Sequence, residues 1–220
     1  MKILVLSCDK NEDLWEPFHH CMEKYWPGHP EVIYSTETKG NPYYKTICVN
    51  CPLNIWSKRV RLTANIIDDN ILLVLVDDIF IREPVDVESI NYLCENFSEN
   101  IACFNLEKQF DKNDLNTNIR NMKKRNHGSD WELSIMCGIW SRDKFIKILE
   151  KDQDPWSVEI NGDTKGFDYY INSGDFIINW GYQYGGSTAG VMRGKWCKEV
   201  VPFFKKEGIN VNYNIRGFHD

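Results

Sequence analysis

The chain has 220 residues, of which 42% are hydrophobic, 26% charged and 13% aromatic. That is the composition of a soluble globular protein, and the length suits one domain that needs no disulfide or zinc staple. A net charge of −6 gives no uniform basic surface for DNA or RNA, so nucleic acid is not an expected partner.

No stretch approaches the roughly 18–20 apolar residues needed to cross a bilayer. The opening run Met1-Lys2-Ile3-Leu4-Val5-Leu6 stops at Ser7-Cys8-Asp9-Lys10, too short for a signal-peptide core of about 7–15 residues. It reads as a buried first strand. The eight cysteines are scattered along the chain, the usage of a reduced, cytoplasmic protein.

In chain order, hydrophobic periods alternate. Residues 3–8 form an apolar run of strand length. Asp9 and Glu12 have capping-box spacing, and Leu14, Phe18, Met22 and Tyr25 then recur at helical spacing until Pro27-Gly28. Residues 31–35 predict a second strand, and Trp56, Val60, Ala64 and Ile67 trace a second helix. Residues 71–76 are six apolar residues without alternation, as in a strand buried on both faces. Val87, Ile90, Cys94 and Phe97 give a third helix, and residues 101–106 a fourth strand. Strands alternating with helices imply a doubly wound α/β fold, whose ligands bind beyond the carboxyl ends of the strands.

The second half reads differently. Residues 112–128 are polar and carry Arg120, Lys123, Lys124 and Arg125, which predicts a loop or a short exposed helix. Residues 131–140 predict a strand, 143–151 a helix, and 167–184 an aromatic β-like stretch. A last helix carries Cys197, Val200, Val201 and Phe204. The basic segment admits three readings: a lid over a diphosphate, a patch for a lipid-linked pyrophosphate at the inner membrane face, or a solvated loop.

The sharpest chemical signal is Leu75-Val76-Asp77-Asp78-Ile79-Phe80. Two adjacent carboxylates at the end of a buried strand repel unless they meet a cation. Hard divalent ions take such oxygen ligands together with substrate phosphates. Rival motifs fail. Ile79 stands where a phosphatase D-x-D-x-[TV] motif needs its second aspartate, and Ala189 and Trp196 break a Walker A reading of residues 186–195. No G-x-G-x-x-G follows the first strand. Cys48-Val49-Asn50-Cys51 lacks a second pair at zinc-finger spacing, and His19-His20 read as ordinary helix residues.

Together these segments resemble a GT-A-fold glycosyltransferase of the bacterial surface-polysaccharide (capsule and lipopolysaccharide) type. The residues carrying the resemblance are Ser7-Cys8-Asp9, Trp56-Ser57-Lys58-Arg59-Val60-Arg61, Asp77-Asp78 in place of D-x-D, and Asp154-Pro155-Trp156-Ser157-Val158-Glu159. Gly185-Gly186 and Arg193-Gly194-Lys195-Trp196 complete it. The resemblance implies a single-domain, Rossmann-like GT-A fold with a mostly parallel central sheet flanked by helices. Residues 1–110 would form the nucleotide-sugar half and 111–220 a smaller acceptor-side half.

It further implies a role for each residue. Ser7, Cys8 and Asp9 meet the donor's base, and Arg59 and Arg193 its diphosphate. Asp78 is the principal ligand of Mn²⁺ or Mg²⁺. Asp77 shares the metal or bonds the donor's ribose or sugar, and His219 completes the metal site. Glu159 is the general base, and Trp156, three positions earlier, packs on the acceptor sugar. The implied reaction moves a sugar from a nucleotide sugar, UDP-linked, to a saccharide or lipid-linked saccharide in the cytoplasm. Two alternatives stand beside it. A sugar-nucleotide nucleotidyltransferase shares such a core but carries a glycine-rich basic loop after the first strand, and Ser7–Glu12 contains no glycine. A non-catalytic sugar- or nucleotide-binding module is the third class.

Overall fold

A computed structural model describes residues 1–108, 113–129, 131–181 and 190–219. Nine strands form one sheet: β1 (Lys2–Leu6), β2 (Val32–Thr36), β3 (Lys45–Cys48), β4 (Ile71–Val76), β5 (Ile101–Asn105), β6 (Leu115–Asn116), β7 (Met122–Lys124), β8 (Gly138–Ser141) and β9 (Asp168–Asn172). Their spatial order is β3-β2-β1-β4-β8-β5-β9-β7-β6. The first four are mutually parallel neighbours; the alternating pattern predicts β1, β2 and β4 but not β3. β8 then runs antiparallel to both β4 and β5, β5 and β9 pair in parallel, and β7 and β6 close that edge antiparallel. A separate hairpin pairs β10 (Val191–Met192) with β11 (Lys195–Trp196).

Among the described residues six α-helices cover the sheet: α1 (Trp15–Tyr25), α2 (Trp56–Ile66), α3 (Val87–Glu95), α4 (Arg142–Ile148), α5 (Pro155–Asn161) and α6 (Val200–Glu207). Strand alternation assigns them to layers. Ile3 and Val5 of β1 and Leu73 and Leu75 of β4 join Phe18, Met22, Ile90, Leu93 and Phe204, from α1, α3 and α6. Leu4, Leu6, Leu72 and Val74 point the other way, to Val60, Ala64, Phe145, Ile148 and Val158 of α2, α4 and α5. Ile3, Leu4, Val5, Leu72, Leu73 and Val74 are fully buried, because helices lie on both faces. Each such side chain contributes about 1.5–3 kcal/mol relative to exposure. Among the described residues no helix is long and apolar enough to cross a membrane, and the eight cysteines form no disulfide.

Several expectations are corrected. Asp9–Leu14 is a 3-10 turn rather than the start of an α-helix. The Asp9 carboxylate caps no helix; it accepts from the Thr38 and Lys39 amides, each at 3.0 Å. Burial works against that anion, but these bonds prevail and hold its pKa at about 2. The segment predicted as a loop or exposed helix at 112–128 supplies the β6–β7 hairpin. Three of its basic residues are charge-compensated: Arg120 pairs with Glu88, Lys124 with Asp168 and Arg125 with Asp114. The strand predicted over 131–140 exists only as β8, and the β-like stretch from 167 only as β9. Residues 182–184 and the glycine pair Gly185-Gly186 lie outside the described residues.

Candidate active site

The register of β1 and β4 builds the site. Leu6 pairs with Val76, so Ser7 and Asp77, one residue beyond each, emerge side by side at the carboxyl edge of the sheet. Asp77 is 1% exposed. Its Oδ2 accepts from the Ser7 hydroxyl and its Oδ1 from Asn11 Nδ2 at 2.8 Å. Ser7 Oγ in turn accepts from Trp15 Nε1 at 2.9 Å. Burial raises the Asp77 carboxyl to about 7; the Ser7 and Asn11 bonds pull it down, and neighbouring Asp78 pushes it up.

Arg59 lies beneath this edge rather than at its surface. It is 2% exposed, donating from Nη2 to the Ser7 carbonyl at 2.7 Å and from Nη1 to Glu37. Glu37 also accepts the Asp9 amide at 2.6 Å. Arg59 therefore braces the turn carrying Ser7, Cys8 and Asp9, with its charge directed inward. The Cys8 thiol is partly buried, and its pKa is raised first by that burial and then by Asp77.

Asp78 is placed differently. The residue is half-buried, and among the described residues its carboxylate is bonded only by its own backbone amide. Burial raises its pKa to about 6, while that amide and then Arg216 draw it back down. Its carbonyl accepts the amides of Gly190 (2.8 Å) and Val191 (3.2 Å), which anchors the β10–β11 hairpin above the sheet. Gly190 is required there, since a Cβ would lie 2.0 Å from Phe80 Cε2 and 3.0 Å from the Asp78 oxygen. Arg193 and Gly194 form the hairpin's tip with φ values of 50° and 79°, the backbone of a two-residue primed turn. Arg193 is exposed at that tip.

Asp78, Trp156 and Glu159 line a single cleft of about 230 Å³, with Leu6, Val76 and Ile135 in its walls. Local sequence explains how α5 delivers two of them. Asp154 is the N-cap, accepting from the Ser157 amide at 3.0 Å and its hydroxyl at 2.6 Å, and Pro155 occupies the first turn. Trp156 and Glu159, at i and i+3, then share a face. Trp156 is 60% exposed. Glu159 is half-buried; its Oε1 accepts from the Ile135 amide at 2.8 Å. Burial raises its pKa, the Ile135 bond opposes that, and Glu107 adds a smaller upward push.

His219 is not gathered with Asp77 and Asp78. Among the described residues no three His, Cys, Asp or Glu side chains converge on a point that could hold an ion. The tail is ordered by its aromatic residues: Phe218 stacks on Tyr213 with centroids 5.3 Å apart, Phe218 bridges to Trp196, and the His219 amide donates to the Trp196 carbonyl at 2.8 Å. This course brings Arg216 into the network, donating to Asn11 Oδ1 at 3.1 Å and to Asp13 at 2.8 Å. Asn11, Glu37 and Arg216 are the site residues that sequence reasoning missed. Their signal was indirect: a buried Asp77 demands donors, and the nearby turn and the tail supply them.

The residues present suit a hard divalent ion of the kind that takes one or two carboxylates and completes its shell with phosphate oxygens and water. Asp78 offers a carboxylate bonded only by its own amide among the described residues, and Asp77 stands behind it with both oxygens already bonded.

No protein-family model matches the chain, and no curated protein does. Among solved structures, the chain is similar to the galactosyltransferase LgtC in complex with donor and acceptor sugar analogs (13% identity, 98% of this chain and 82% of that one, TM-score 0.45). It is also similar to 4-diphosphocytidyl-2C-methyl-D-erythritol synthase (10%, 84% and 95%, 0.45) and to the bifunctional IspDF from Campylobacter jejuni (11%, 80% and 50%, 0.43). The chain spans about half the length of IspDF, and 59% of an active-site mutant of LgtC. At these scores the likeness is one of α/β layout, and it assigns neither ligand nor reaction.

Proposed function

We propose that the chain is a glycosyltransferase that moves a sugar from a nucleotide sugar, UDP-linked, to a hydroxyl of a saccharide or lipid-linked saccharide acceptor, with Mn²⁺ or Mg²⁺ at Asp78. The observation carrying this reading is that Asp78, whose carboxylate no other described residue bonds, a carboxyl of raised pKa (Glu159) and an exposed Trp156 share one cleft at the carboxyl edge of the sheet.

Asp78 would hold the ion, which supplies Lewis-acid stabilisation to a departing nucleoside diphosphate. Asp77 does not reach outward; through Ser7 and Asn11 it ties the end of β4, and so Asp78, to the turn that follows β1. Ser7, Cys8 and Asp9 form the floor for the nucleotide base, with Arg59 holding that turn from below. Arg193, on a hairpin anchored at the Asp78 carbonyl, is the residue we assign to the diphosphate. Glu159 would take the proton of the acceptor hydroxyl, and its raised pKa makes it a stronger base than an ordinary carboxylate. Trp156 offers a flat apolar face to the acceptor's ring carbons.

Calorimetric titration of UDP with and without Mn²⁺ tests this. We expect binding that requires the metal and is lost in Asp78→Asn, followed by Mn²⁺-dependent hydrolysis or transfer from a UDP-sugar. Absence of UDP binding with the metal present overturns the UDP-donor reading. Pyrophosphate release from UTP and a sugar phosphate, without donor hydrolysis, would replace glycosyl transfer by nucleotidyl transfer. Binding without any turnover would indicate a non-catalytic module.

A further inference from the structure

Glu159 faces a second cleft as well. This one, about 480 Å³, is lined by Trp131, Glu132, Leu133, Glu159, Ile160 and Thr164. A narrow divider separates the two spaces. The Ile135 amide bonds to Glu159 Oε1, Ile135 lines the first cleft, and Leu133, two residues earlier, lines the second. Any catalytic event at Glu159 would therefore have open space on both sides, with Asp78 on one side and Trp131 on the other.

The second cleft is built rather than incidental. The Glu132 side chain is 5% exposed, hydrogen-bonded to His127 Nδ1 and to the Gly128 amide, both at 2.8 Å. Trp131 holds a left-handed backbone conformation, φ 60°, which is an outlier for a bulky residue. Trp131 is 50% exposed, and Ile160, which lines the same cleft, is 66% exposed. Gly162 lets the end of α5 close against the wall, since a Cβ there would lie 2.6 Å from Leu133 Cδ1.

We propose that this cleft is an acceptor subsite, so that the acceptor is a saccharide of at least two units: the reacting sugar over Trp156 beside Glu159, and the next sugar over Trp131. The proposal rests on the transfer reading above and narrows its acceptor. The chemistry selects the occupant. A pyranose presents apolar C–H faces to an indole and hydroxyl donors to carboxylates, and the cleft offers Trp131 and Glu159 for those contacts, with Glu132 fixing the loop beside Trp131. The Glu159 carboxylate repels a phosphate or nucleotide, and a lipid chain would strip water from Glu159 and Thr164 without replacing their hydrogen bonds.

The test is a glycan array probed with fluorescently labelled full-length protein, using wild type, Trp131→Ala, Trp131→Tyr and Ile160→Ala. Calorimetry of UDP with Mn²⁺ is run on each. Wild type is expected to retain glycans of two or more units and to retain single sugars on the same linker weakly. Trp131→Ala lowers retention about tenfold, the scale of one lost aromatic contact. Ile160→Ala, on the helix surface, lowers it by a smaller factor, Trp131→Tyr preserves it, and UDP binding is unchanged in all three. Equal retention of single sugars, no retention of any glycan, or unaltered retention by Trp131→Ala overturns the proposal. Should wild type fail to bind UDP while its glycan retention still depends on Trp131, the transfer reading falls and the subsite stands.

Discussion

Arg216 donates to the side-chain oxygen of Asn11 at 3.1 Å, and the Asn11 amide donates onward to Asp77 Oδ1 at 2.8 Å. A residue near the carboxyl end of the chain thus reaches, through one intermediary, the carboxylate at the end of β4. Its guanidinium also clasps Asp13 and the Lys10 carbonyl, so the tail is tied to the turn that follows β1.

Replacing Arg216 should therefore affect both stability and the site. Its side chain is 8% exposed and that of Asp13 18%, so Arg216→Ala removes a well-shielded pair and is expected to cost about 2 kcal/mol. That corresponds to a fall of about 4–8 °C in thermal midpoint. Arg216→Lys retains charge but loses the forked contact and should fall between. Differential scanning calorimetry reads the loss, and a midpoint unchanged in Arg216→Ala would remove the clasp from the account.

Ser7→Ala leaves two buried polar groups short of a partner, Asp77 Oδ2 and Trp15 Nε1. We expect a loss of about 1–3 kcal/mol in urea unfolding at neutral pH. The loss should be smaller at pH 4, below the raised Asp77 pKa, where the carboxyl is neutral in the folded protein.

Glu159→Gln should cut turnover about 100-fold or more with donor binding intact. Its effect on stability has a definite sign. Burial raises the folded-state pKa above the ordinary carboxyl value, so the folded protein holds the proton more tightly than the unfolded chain. That contribution is complete below about pH 4 and is lost as pH rises through the folded pKa. The variant should match wild type at pH 4 and exceed it at pH 8. A reversed order in chemical denaturation at pH 8 would contradict a half-buried Glu159 whose burial outweighs the Ile135 bond.

Gly190→Ala should dislodge the β10–β11 hairpin, because the new methyl group collides with the Phe80 ring and crowds the Asp78 carbonyl. A loss of about 1–3 kcal/mol is expected, with weakened metal-dependent UDP binding, since the hairpin that carries Arg193 hangs from Asp78. Intact UDP affinity in this variant would detach the hairpin from the donor site.

What could be read in advance follows from range. β1 and β4 are continuous apolar runs buried on both faces, so composition alone declares them. β3, with Lys45 and Cys48 exposed and Thr46 and Ile47 only partly covered, carries no such signal. The placement of β8 rests on pairing across the chain that no local period encodes. Asp9 and Glu12 have the spacing of a helix cap, yet a loop 29 positions away takes the Asp9 carboxylate instead. In the site, Asp78, Trp156 and Glu159 stood out as residue types at suggestive positions, and the structure puts them around one cleft. Arg59 also stood out, but burial turned its charge inward. Asn11 reaches Asp77 across 66 positions, a partnership visible only once β1 and β4 are laid side by side.

The insertion of β8 between β4 and β5 has a consequence for the order of synthesis. When residue 105 leaves the ribosome, both strands that will flank the gap exist, and the strand that fills it does not. Two rows of unpaired amides and carbonyls, on some of the most apolar segments of the chain, face each other or any passing nascent chain until residue 141 has been made. Premature release in that interval leaves a fragment with two bare inner edges, and arrival of Gly138–Ser141 still leaves the far edge of β5 open until Asp168–Asn172 pairs with it.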